Sequence, residues 1–187
     1  MSRRVAACMA ACLWTAPAAA ASCEAELARA SIAHGVPLAV LYAVGLSESG
    51  GAKGMRPYAV NVEGKAHYPA TLADALVVVE TAQARGATLI DVGCMQINLR
   101  WHAQRFPNLR AMFDPARNVD YAARFLKELR AREGGWTRAV ARYHAGPANH
   151  AAQKTYVCRV IAHMAAVGLG AWTPQARELC QPKPPVP

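Results

Sequence analysis

Val36-Pro37-Leu38-Ala39-Val40-Leu41-Tyr42-Ala43-Val44-Gly45-Leu46-Ser47-Glu48-Ser49-Gly50-Gly51 is an apolar run that ends on one carboxylate and is closed at once by two glycines. A run of this length, apolar almost all round, reads as a helix packed inside a domain. Gly50-Gly51 reads as its stop. Glu48 then stands near a helix C-terminus, where the macrodipole is negative, among apolar neighbours. Both effects disfavour the ionised form and raise its pKa. A carboxyl still protonated near neutral pH can donate a proton. Taken alone, the stretch fits a solvated residue in the last turn of a core helix equally well.

Outward from this run the pattern is mainly helical. Cys23 to His34 reads as a first helix ended by Gly35, and Val36-Pro37 opens the helix that carries Glu48. Residues 52 to 70 are richer in Gly, Pro and turn formers. There Tyr58 to Val62 and Ala66 to Tyr68 flank Glu63-Gly64-Lys65, which predicts a small β-hairpin. Thr71 to Asp74 starts a helix running to about Arg85, with Gly86 as its stop. Asp114-Pro115 starts a long helix on which Val119, Ala122, Ala123, Leu126 and Leu129 recur at helical spacing, closed by Gly134-Gly135. A further helix holds Trp136 to Ala145, stopped by Gly146-Pro147, and another spans roughly His150 to Ala166. No internal repeat is present. The fold class expected is mainly α with one small β-hairpin insertion.

Met1-Ser2-Arg3-Arg4, the apolar segment Val5 to Trp14 and the small-residue stretch Thr15 to Ser22 have the form of a secretory signal peptide cut after Ala21. The domain organisation is therefore a signal at 1–21, one domain at 22–168 and a C-terminal tail at 169–187, Pro-rich at its end. Ala20-Ala21-Ser22 lacks the Leu that heads a lipoprotein cleavage box, so Cys23 reads as unlipidated. The expected location is the periplasm. The chain of 187 residues has a net charge of +9, or +7 once Arg3 and Arg4 leave. A basic exported protein suits an anionic partner such as cell wall or a lipid surface. Nucleic acid is not expected, because no basic stripe is interleaved with aromatics. Cys8 and Cys12 leave with the signal, and Cys23, Cys94, Cys158 and Cys180 allow three complete disulfide pairings. No CxxC or clustered His/Cys spacing points to a metal, and no cofactor is expected.

Three motifs now stand in order: Glu48-Ser49-Gly50-Gly51, Gly93-Cys94-Met95-Gln96-Ile97-Asn98 and Ala141-Arg142-Tyr143-His144-Ala145-Gly146. Together they resemble the lytic transglycosylase domain, with supporting matches at Asp114-Pro115, Asn118-Val119, Ala122-Ala123 and Tyr156 to Val160. The long insert between the first two motifs is similar to that of the specialised transglycosylases of secretion, conjugation and pilus systems, whose assembly proteins would then be partners. The resemblance implies a lysozyme-like domain that cleaves the β-1,4 bond between N-acetylmuramic acid and N-acetylglucosamine in peptidoglycan glycan strands. It implies that Glu48 is the catalytic acid and then the base, with no second carboxylate and no metal.

Substrate contacts implied by the same resemblance fall on Asn61, Met95, Gln96, Tyr143 and Tyr156. Gln96 would offer its amide to acetamido groups, and Met95 a soft apolar wall, although a Met after Gly-Cys is more often core. Tyr143 would bring its hydroxyl near Glu48. Asn61 reads as well as a hairpin residue capping its own backbone, and Tyr156 as well as core. His144 departs from the family's usual Asn. Cys94 takes a slot where the family prefers an apolar residue, which argues for an unpaired thiol packed as a small hydrophobe. Asp91 fits an N-cap or turn, and His34, His67, His102, His150 and His163 read as structural. A lysozyme-type muramidase with two carboxylates and a non-catalytic wall-binding accessory are the competing readings.

Overall fold

The computed structural model describes residues 22–181. The signal peptide expected at 1–21 and the prolines at 182–187 lie outside them. Chain order is α1 (Cys23–His34), α2 (Leu38–Ser49), β1 (Gly50–Gly51), β2 (Gly54–Met55), β3 (Val60–Val62), β4 (Lys65–His67), α3 (Leu72–Ala84), β5 (Ile90–Val92) and β6 (Ile97–Asn98). Then follow α4 (Leu99–His102), α5 (Leu109–Phe113), α6 (Pro115–Glu133), α7 (Trp136–His144), α8 (His150–Ala166) and α9 (Pro174–Cys180). No helix among the described residues is long and apolar enough to cross a membrane.

The helix ends follow local chemistry. Side chains of Ser22, Thr71, Asp114 and Asn149 accept from backbone N–H groups at the starts of α1, α3, α6 and α8, which satisfies donors that a helix leaves open. The αL glycines Gly35 and Gly134 end α1 and α6. The core forms where α1 packs on α2 and α6, α2 on α8, and α7 on both α6 and α8. α2 buries Val40, Leu41, Ala43, Val44 and Gly45 in it. Gly45 is there for space, since a Cβ would come within 2.9 Å of the Met55 sulfur and 3.2 Å of Leu27.

The expected hairpin exists as β3 and β4, with Asn61 opposite Ala66. It is half of a larger unit. β5 pairs antiparallel with β3 and β6 with β5, giving a four-stranded sheet in the order β4-β3-β5-β6. This corrects the reading of Asp91 as a cap or turn residue: it lies in β5, opposite Asn61 on one side and Asn98 on the other.

Two further corrections concern the cysteines and the tail. Cys94 is not a free thiol but is bonded to Cys23, and Cys158 is bonded to Cys180. The apolar slot is real, because Cys94 is fully buried, but a buried half-cystine meets the same packing requirement as a thiol. The second bond fastens α9 to α8, so the stretch after residue 168 includes a helix packed on the domain.

Candidate active site

A groove of about 690 Å³ runs between the helices and the sheet. Glu48 reaches it from the end of α2, Asn61 and Asp91 from the sheet, Gln96 from the turn before β6, and Tyr143 and His144 from the last turn of α7. Arg159 of α8 and Trp101 of α4 also line it. Local structure sets each of these directions. Gly93 holds φ at +82°, and a Cβ there would lie 2.5 Å from the Asn118 amide nitrogen and 3.1 Å from the Met112 carbonyl. Only glycine fits this approach. Gln96 itself is left-handed at φ 48°, and its amide nitrogen donates to the carbonyls of Ala59 and Gly93, each at 3.1 Å. Both amide protons are thus engaged, so Gln96 offers the groove an acceptor rather than the donor-and-acceptor pair expected of it.

The Glu48 carboxyl is pushed up to about 7, first by burial, with the Asp91 charge adding to the rise while Tyr156 and Arg159 oppose it. Tyr156 donates its hydroxyl proton to Glu48 Oε1. Burial and the Glu48 charge hold the phenols of Tyr143 and Tyr156 well above the usual range, so both remain donors. Asp91 is also raised by burial, against the pull of an Asn98 amide at 2.7 Å. The two carboxyls that share this groove thus repel one another.

The site residues read from sequence divide accordingly. Glu48, Asn61, Gln96 and Tyr143 line the groove. Asn61 Oδ1 also accepts from the Gly64 N–H at 2.8 Å, the turn-capping alternative. Met95 is a correction: its side chain is completely buried in the core and forms no groove wall. The apolar lining expected of it is absent because the tight turn points it inward, where its N–H meets Asn118 and its carbonyl meets Tyr143. Tyr156 is a second correction, 1% exposed and off the groove surface. Both phenols feel the Glu48 charge, but only Tyr156 donates to its carboxyl, while Tyr143 donates to the Met95 carbonyl at 2.8 Å.

Sequence reasoning gave no site role to three residues that the structure places at or beside the groove. His102 lines the groove, bonded through Nδ1 to the Tyr121 hydroxyl at 2.7 Å. His144 stacks flat on Tyr156, and Trp101 stands exposed at the rim. An aromatic six residues after Gly-Cys-Met could have flagged Trp101, and His144 stands out only as a departure from the family's usual Asn, with no role attached, but nothing local flags His102. Among the described residues no group of three or more His, Cys, Asp or Glu is placed to hold a metal ion.

A carboxyl raised to about 7 in a groove set between the helices and a small sheet is suited to protonating a leaving oxygen. No curated protein and no solved structure matches the chain. The family model described as the transglycosylase SLT domain does match, over residues 27–160, a span that holds all of the groove residues named above. With most of its length inside that match, the chain belongs to the SLT transglycosylase family, whose lysozyme-like domains act on the peptidoglycan of the bacterial cell wall.

Proposed function

We infer that this protein is an exported lytic transglycosylase that cleaves the bond between N-acetylmuramic acid and N-acetylglucosamine without water, for local remodelling of the wall. The observation that carries the reading is the Glu48 carboxyl, raised to about 7 at the groove surface and held by Tyr156. A protonated Glu48 gives its proton to the glycosidic oxygen as the bond from muramoyl C1 breaks, and the N-acetylglucosamine leaves as an alcohol. Positive charge develops on the muramoyl ring. The 6-hydroxyl oxygen of the same sugar then bonds to C1, and its proton passes to the Glu48 carboxylate. The carboxyl is regenerated and the product carries a 1,6-anhydro end. Asn61 and the Gln96 acceptor are suited to the acetamido groups, and Tyr143 supports the turn that carries Gln96.

Asp91 favours a second reading. A muramidase needs two carboxyl groups flanking the scissile bond, and Asp91 shares the groove with Glu48. Mass spectrometry of digested sacculi separates the two. Anhydromuramoyl products, formed at comparable rate by Asp91→Asn, are the expected outcome; reducing ends that vanish in Asp91→Asn would replace the mechanism with hydrolysis. Equal digestion by Glu48→Gln and wild type would remove Glu48 from its role, and no digestion by either would leave a wall-binding accessory. A secretion, conjugation or pilus apparatus is the setting we propose, on the insert between the first two motifs.

A further inference from the structure

We propose that His144 is a positioning residue for the Glu48 carboxyl, acting through Tyr156, a role that rests on reading Glu48 as the acid. The imidazole of His144, the last residue of α7, lies parallel to the Tyr156 ring of α8, with centroids 4.2 Å apart and planes 2° from coincident. Tyr156 is 1% exposed, whereas His144 is exposed and lines the groove. His144 is therefore the layer between the phenol and the substrate space. The phenol in turn spends its only proton on Glu48 Oε1.

A ring free to tilt cannot keep a hydroxyl aimed at one carboxylate oxygen, and a flat partner on its face removes that freedom. Asn, the residue usual in the resembling family, could offer hydrogen bonds here but no face. Burial, and then the Arg159 charge, push the His144 pKa down, so near neutral pH the stacked ring is uncharged and adds no second cation beside Glu48. Arg159 already acts on both groups. A neutral aromatic is thus what the position requires.

The full chain is tested on soluble glycan strands, with the Glu48 carboxyl followed by carbon-13 NMR titration. His144→Ala is expected to lower kcat about tenfold and change KM less than twofold, and His144→Phe, which keeps the face, to stay near wild type. In the titration, His144→Ala moves Glu48 upward by about half a pKa unit by loosening a hydrogen bond that favours the carboxylate. The same substitution made on top of Tyr156→Phe adds no further upward shift, because the bond it acts through is already gone. An equal shift in both backgrounds, or an unchanged kcat in His144→Ala, overturns the proposal. Should the Ala variant fail to fold, His144→Asn removes the face and is read by the same criteria. Full turnover in Glu48→Gln would instead sink the acid reading, and the titration cycle, which needs no turnover, would still decide the part played by His144.

Discussion

Glu48 has a folded-state pKa of about 7 against an ordinary 4.5, so the folded chain holds a proton there that the unfolded chain releases at lower pH. The stability this contributes is complete below about 4.5 and is lost as pH rises through about 7, an overall change of roughly 3 kcal/mol. Glu48→Gln removes the charge that burial opposes and keeps an acceptor for Tyr156. Thermal unfolding should find this variant more stable than wild type at pH 8 and nearly equal to it at pH 4, a stability gained by removing the proposed acid. With Glu48 as the proposed acid, the same ionisation would set the activity profile, and wild-type kcat/KM should fall about tenfold per pH unit above about 7. The raised pKa was legible in the sequence from an acid among apolar neighbours at a helix end. The repulsion from Asp91 was not, because it arises from a strand pairing that joins residues distant in the chain. Nor could motif spacing decide between Tyr143 and Tyr156, since which hydroxyl reaches Glu48 depends on how α7 and α8 cross α2.

The turn from Gly93 to Asn98 depends on one buried side chain of α6. Asn118 donates to the carbonyls of Val92 at 3.1 Å and Met112 at 2.8 Å, and accepts from the Met95 N–H at 2.8 Å. It thereby ties the end of β5, the turn and α5 to the long helix. Asn118→Leu keeps the branching but is bulkier and takes away the partner of those three backbone groups inside the core, and should cost about 3 kcal/mol or more, read as a lower urea midpoint. Turnover should fall with it even in the fraction that remains folded, because Gln96 sits on the turn so released. Elements with strong end signals were legible: α1, α3, α6 and α8 begin and end where their caps and glycines put them. β5 and β6 were not. Ile90-Asp91-Val92 and Ile97-Asn98 are too short to show an alternation, and only their pairing with β3 makes them strands. The short α4 and α5 lie likewise below the length at which periodicity speaks, and α9 was hidden between prolines.

At the scale of the molecule, two disulfides brace different parts of the fold, and their consequences should separate. Cys23–Cys94 closes a sequence span of 71 and Cys158–Cys180 one of 22. Loop-closure entropy assigns them about 4 and about 3 kcal/mol, less whatever the native packing keeps without the bond. The first joins the start of α1 to the turn that carries Gln96. Ser49 donates its hydroxyl to the Cys94 carbonyl at 2.7 Å, so the residue after Glu48 leans on the same half-cystine. The second holds α9 against α8, beside an apolar cavity walled by Trp136, Met164 and Leu179 and away from the groove. The sequence could not reveal the first pairing, because the Cys94 slot looks alike for a thiol and a half-cystine, and its partner lies 71 residues earlier, ahead of the matched span. Cys23→Ala/Cys94→Ala and Cys158→Ala/Cys180→Ala should therefore both lose stability in urea. At a temperature well below either midpoint, only the first pair should lose turnover, through misplacement of Gln96 and of the end of α2. Equal turnover in the two double variants would mean that the turn is held by Asn118 and Gly93 alone, with the disulfide serving stability and nothing else.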